Sequence, residues 1–167
     1  IWKLKSYYAS PRDQFTWLRV AHRNLHVAGH KDQADTSCRA CTDKETIKHL
    51  GECSILKEEF WKEIFALVQK LGFKPPAEDD HLIYVLLGCY REGDTVKVIT
   101  PDQAGLMFIA WRCLYAEIVG SRVDERPLNL GYAYKRTLKM CITRLRAYGE
   151  KWLLWSRKNR NLSLIHI

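Results

Sequence analysis

The sequence predicts an all-α fold: a small Cys/His-bearing knuckle between two helices, then a helical C-terminal half ending in a long basic amphipathic helix. Three observations lead there. Apolar residues recur at three- and four-residue steps in four separate stretches. Ser-Pro and Thr-Pro pairs stand where helices should begin, and glycines where they should stop. Alternation of the strand kind is confined to one short segment near residues 91–100.

The first helix opens at Ser10-Pro11-Arg12-Asp13. Ser caps, Pro fits the first turn where its missing N–H does no harm, and Asp13 suits the positive end of the dipole. Phe15, Leu18, His22 and Leu25 mark its apolar face, and Gly29 its end. Arg12, Arg19, Arg23, His26 and His30 share another face, as a stripe for phosphates or as ordinary solvated charge.

Next comes Cys38, Cys41, His49 and Cys53, a C-x2-C-x7-H-x3-C array. Zinc asks for four soft or borderline ligands in a tetrahedron, which thiolates and an imidazole supply. Two cysteines separated by two residues can turn onto one ion. A His and a Cys four apart fall on one side of a helical turn. The alternatives are scattered buried thiols or a disulfide. A disulfide leaves an odd thiol among the three cysteines. Four protein ligands make a closed, structural site rather than one with an open position for catalysis. His22, His26 and His30 also stand four apart, and His30 is the substitute ligand should His49 point away.

Ser54 is placed to cap a second long helix, with Glu58 and Glu59 in its early turns. Phe60, Ile64, Leu67, Val68 and Leu71 form its buried stripe, with Trp61 beside it, and Gly72 ends it. The proline-bearing segment 73–80 reads as a linker. It divides a helix–knuckle–helix module (1–72) from a helical C-terminal region (81–161) and a tail (162–167).

Residues 81–89 form a short apolar run, either one or two helical turns or a strand. Residues 91–100 offer a turn followed by alternating valines. Thr100-Pro101 opens a helix through Val119 whose core side is Met107, Ala110, Trp111, Leu114 and Ile118. In the last helix Leu138, Cys141, Leu145, Tyr148, Trp152 and Trp155 alternate in a heptad seam. Arg136, Lys139, Arg144, Arg146 and Lys151 occupy the other positions. Residues 135–160 hold nine Lys/Arg against Glu150 alone, which accounts for the whole net charge of +8. Such an excess marks a nucleic-acid backbone footprint or a solvated face.

The stretch from Ile1 to Trp61 resembles the zinc-binding segment downstream of the polymerase in reverse transcriptases of non-LTR (LINE-type) retrotransposons. Ile1-Trp2-Lys3 and Phe15-Thr16-Trp17-Leu18 resemble that family's opening Trp and "FlWrl" helix. Glu45-Thr46-Ile47, His49 and Leu50 match its "ETxxHL" signature, and Phe60-Trp61 its following aromatic. Three residues separate His49 from Cys53 where the family usually has four. The resemblance implies a C-terminal region that helps hold template RNA or target DNA beside the polymerase domain of the same polyprotein.

The composition fits such a piece. The chain begins at Ile1, no uninterrupted run of 18 apolar residues suggests a membrane span, and no secretory signal is visible. Cys89, Cys113 and Cys141 are dispersed, as buried thiols in a reducing compartment would be, whether nucleus or cytoplasm. Polymerase carboxylates, a phosphate-cradling Gly-rich loop and a nucleophile elbow are not recognisable, so catalysis is not expected from this segment. The leading expectation is a zinc-stapled nucleic-acid grip, in which zinc fixes the 38–53 loop against the Phe15/Leu18 helix and the Phe60/Trp61 helix. The alternative is a helical protein-interaction module. A third and weaker reading is a zinc hydrolase built on the three spaced histidines.

Overall fold

The structure, a computed structural model, describes residues 9–28 and 36–147. It is mostly helical. In order come α1 (Pro11–Ala21), α2 (Ile47–Glu52), α3 (Ser54–Leu56), a π-helical turn (Lys57–Trp61), α4 (Lys62–Lys70), a 3-10 turn (Glu78–Asp80) and α5 (His81–Leu87). Then follow β1 (Cys89–Glu92), β2 (Thr95–Val98), α6 (Pro101–Val123) and α7 (Leu130–Ala147). The antiparallel hairpin pairs Cys89 with Val98 and Glu92 with Thr95, so the chain is not purely all-α. Val96 and Val98 keep one side of β2 apolar, but both are exposed, and the hairpin stands off the core from Arg91 to Val98.

The fold is organised around α6. Thr100 and Gln103 close a capping box at its start, with Pro101 in the first turn. Residues Gln103 to Trp111 are all buried, so the helix is apolar on every side and needs a partner on every side. By length and hydropathy α6 would also suit a bilayer span, yet 72% of its apolar window is buried inside this fold. Aromatic rings knit the neighbours to it: Trp17 of α1 lies 5.0 Å from Phe108, and Trp61 lies 5.0 Å from Trp111. Truncating one such ring to Ala typically costs about 3–5 kcal/mol. Trp111 also donates its indole N–H to the Val85 carbonyl, which fixes α5 across α6.

Helix α1 starts where the sequence predicts, with Ser10 and Asp13 forming a capping box. Its inward face is not the predicted one. Asp13, Trp17 and Val20 are buried, whereas Phe15 is 61% exposed and His22 is exposed. The helix also ends early, at Ala21, and Arg23 adopts φ 53 in the turn that follows. Leu25 is buried, but from the loop beyond that turn, and Gly29 lies outside the described residues. The choice of face follows from size: a Trp next to a β-branched residue buries more apolar surface than a Phe and a His.

The second long helix is interrupted. A π turn at Lys57–Trp61 inserts an extra residue into the ladder and lets two consecutive aromatics, Phe60 and Trp61, both reach full burial. Gly72 ends this helix at φ +82, a left-handed conformation that favours glycine. The expected stripe of Phe60, Ile64, Leu67 and Val68 is buried, with Leu71 at its rim. Across residues 73–80 the buried side chains of 9–72 and 81–147 share one core. In α7, Leu138 and Cys141 of the predicted seam are buried. Leu145 lies in α7, its side chain outside the description, and Tyr148, Lys151, Trp152, Trp155 and the 162–167 tail lie outside the described residues.

Candidate metal centre

The knuckle is shaped by its backbone first. An antiparallel bridge joins Ser37 to Lys44, and the Cys38 N–H donates to the Asp43 carbonyl at 2.7 Å. This tight turn aims Cys38 and Cys41 at one point. The Ala40 N–H lies 3.4 Å from the Cys38 sulfur, a contact that favours thiolate over thiol. On the other side Thr46 caps α2 by accepting from the His49 N–H at 3.0 Å. Helix α2 then presents His49, and Cys53 follows at its end, its N–H donating to the His49 carbonyl at 2.6 Å.

The four ligand atoms of Cys38, Cys41, His49 and Cys53 all lie within 4.8 Å of one another. The Cys41 and Cys53 sulfurs are 3.7 Å apart, and Cys41 Sγ is 3.2 Å from His49 Nε2. A tetrahedral zinc with normal bond lengths sets S···S edges of ~3.8 Å and S···N edges of ~3.6 Å. The donor set therefore fits zinc in chemistry and in scale. The separation is far too long for a disulfide, whose S–S bond is about 2.0 Å. The spacing of three residues between His49 and Cys53 is accommodated because Cys53 is the residue that closes α2, its N–H bonded to the His49 carbonyl one turn back. Burial pushes the Cys38 thiol up to about 12, with repulsion from Cys53 and Cys41 adding to it, and burial also raises Cys41. An ion entering here must expel those protons, so its affinity rises with pH.

The shell around the ligands ties the knuckle to the rest of the fold. Trp61 donates its indole N–H to the Leu50 carbonyl at 3.1 Å, and His81 Nε2 lies 2.8 Å from the Gly51 carbonyl. Both acceptors lie between the ligands His49 and Cys53. Gly51 permits the close approach of α5, since a Cβ there would stand 2.9 Å from Leu82 Cδ1. The Glu45 carboxylate is fully buried and accepts from the Ala28 N–H at 3.0 Å and from the Arg122 guanidinium. Arg122 reaches the Ser37 carbonyl as well, while Arg39 donates to the carbonyls of Ser121 and Arg126. The knuckle is thus clamped to the C-terminal end of α6, while Phe15, expected beneath it, is exposed.

Sequence reasoning missed Arg39, Arg122 and His81 as supports. Glu45 was visible only through the resemblance, because its partner stands 77 residues away. The other predicted histidines do not join the centre. His22 and His26 are exposed and belong to no ligand cluster among the described residues, and His30 lies outside them.

Of the predicted nucleic-acid contacts, Arg12 and Arg23 are exposed, and Arg19 is half-buried with Nε donating to the Asn24 carbonyl at 3.0 Å. On α7, Lys139 and Arg146 are exposed and Arg136 half-buried, while Lys151 lies outside the described residues. Arg144 turns inward. It pairs with the buried Asp13, which also holds Arg112 at 2.7 Å. Asp13 thereby joins α1, α6 and α7.

No protein-family model matches the chain, and no solved structure matches it. The chain is similar to the transient receptor potential cation channel subfamily M member 6 of Mus musculus, 25% identical over 108 residues. That segment is 64% of this chain and 5% of the channel protein.

Proposed function

We propose that this chain is a zinc-stapled helical module that grips nucleic acid through phosphate contacts, as the C-terminal segment of a LINE-type reverse transcriptase. The observation that carries the reading is the exposed cations along the outer faces of α1 and α7. Arg12, Arg23, Lys135 and Lys139 in these stripes make no ion pair among the described residues. Unpaired cations on a rigid scaffold are what a phosphate backbone neutralises, with release of counterions and without sequence readout.

Support for the family comes from the residues that carry the resemblance, since each has a physical task at the metal centre. Glu45 clamps Arg122, Thr46 caps α2, Ile47 and Leu50 fill the core, and His49 is a ligand. Zinc supplies a fixed tetrahedral cross-link when bound, and the polymerase domain of the same polyprotein is the natural neighbour in this reading.

The test is binding of labelled oligonucleotides over a salt series. Affinity should fall steeply with salt, and Lys135→Glu with Lys139→Glu should weaken binding and lower the salt slope by about 2. Binding that ignores both salt and these changes would remove the reading. One observation favours the alternative, a protein-interaction module: the hairpin leaves Val96 and Val98 exposed beside open strand edges. A partner held there would be insensitive to the α7 substitutions.

A further inference from the structure

Two aromatic side chains stand among the large exposed hydrophobics, Phe15 at 61% and Tyr132 at 52%. Both lie in the basic stripes. Phe15 follows Arg12 by three residues and precedes Arg19 by four, the spacings that place side chains together on one helix face. Tyr132 precedes Lys135 by three and Lys139 by seven on α7. Asp13, the acid of α1, is buried beneath this face and spent on Arg112 and Arg144. The outer surface of α1 is therefore an aromatic ring flanked by cations, with no carboxylate of its own. Arg19 is anchored through Nε to the Asn24 carbonyl, which steadies the guanidinium while its terminal nitrogens remain available.

A duplex offers phosphates but keeps its base faces stacked inside. An unpaired strand offers both, and an aromatic ring between cations matches that pair of features. Leaving a Phe in water forfeits the apolar burial it would gain in a core, and the same helix buries Trp17 two residues away. We infer that α1 is a stacking platform for single-stranded nucleic acid: an unpaired base lies on Phe15 while Arg12 and Arg19 hold the flanking phosphates. Tyr132 serves a second base beside Lys135 and Lys139. This inference rests on the nucleic-acid reading above and narrows it to unpaired strands.

The experiment uses the full zinc-loaded chain and fluorescence anisotropy with labelled oligothymidylate, oligouridylate and a mixed-sequence duplex of equal length. Phe15→Ala should weaken single-strand binding about 5- to 150-fold, while leaving duplex binding and the salt slope unchanged. Phe15→Trp should retain it. Because Phe15 is exposed, urea midpoints should be unaltered, which separates the loss from unfolding. Phe15-dependent binding of either oligonucleotide supports the platform. Equal losses for single strand and duplex, or no loss for either, would overturn the platform while leaving the phosphate grip intact. Absence of binding to all three would overturn both.

Discussion

Glu45 and Arg122 meet across 77 residues of sequence, a fully buried carboxylate held by a guanidinium at the end of α6. The pair sits between the metal ligands and the central helix. Through it, the 36–45 loop is held by the fold rather than by zinc alone. Arg122 keeps 22% of its side-chain surface in solvent, so the cost of breaking the pair belongs at the low end of the range for buried ions. Glu45→Gln should destabilise the chain by about 3 kcal/mol, read as a lowered urea midpoint. Arg122→Met alone should cost about as much, and the double variant less than the sum of the two. Additive losses would mean that the two residues do not act as a pair.

Asp13 supplies a second clamp of this kind, with a difference. It caps α1 and also neutralises Arg112 and Arg144, so a single carboxylate serves three helices. Asp13→Asn preserves the capping geometry but leaves two guanidiniums facing each other without an anion. A loss of about 3–5 kcal/mol is expected, larger than the ~1 kcal/mol typical of a lost cap. Ser10→Ala removes the cap and the hydroxyl's bonds to Asp13 and Arg144 but leaves the carboxylate between the two guanidiniums, so it should cost less than Asp13→Asn, and thermal or urea unfolding of the two variants distinguishes them.

The parts of the fold legible in the sequence are those set by local chemistry. Ser10-Pro11 and Thr100-Pro101 announced helix starts because capping needs only neighbouring residues. The ligand set was legible because metal spacing is short-range, and the four atoms do converge. The inward face of α1 was misread because three- and four-residue steps through Phe15 and Leu25 are as regular as those through Asp13, Trp17 and Val20. What decided between them was α6, which offers Phe108 to Trp17 and Arg112 to Asp13. The π turn was invisible as well, since no Gly, Pro or break in the apolar spacing marks residues Lys57–Trp61. Arg144 illustrates the limit most sharply: in sequence it is one more cation of a basic helix, and only a carboxylate more than a hundred residues earlier turns it inward.

The metal centre makes a prediction about composition and shape together. Purified chain should carry one zinc, and Cys53→Ser should abolish it along with part of the helical circular-dichroism signal. His49→Cys should retain the metal, since four thiolates also satisfy a tetrahedral structural site. Chelation of the wild type should reproduce the Cys53→Ser spectrum. Helicity indifferent to chelator would leave the knuckle held by Glu45, Arg39 and Arg122 without an ion.

His81 should make stability depend on pH in a definite direction. Burial lowers its affinity for a proton, and the neutral ring's Nε2–H donates to the Gly51 carbonyl. In the unfolded chain the ring titrates near about 6.5. Below that pH the unfolded state takes up a proton that the folded state refuses, so stability is full above it and declines as pH falls towards the lower folded value. Urea midpoints at saturating zinc should therefore drop between neutral and mildly acidic solution. His81→Gln keeps a donor for the Gly51 carbonyl but cannot titrate, so its midpoint should drop less. Protonation of the metal ligands acts on both proteins alike, which makes the difference between the two curves the readout. Parallel curves would show that His81 does not sense pH.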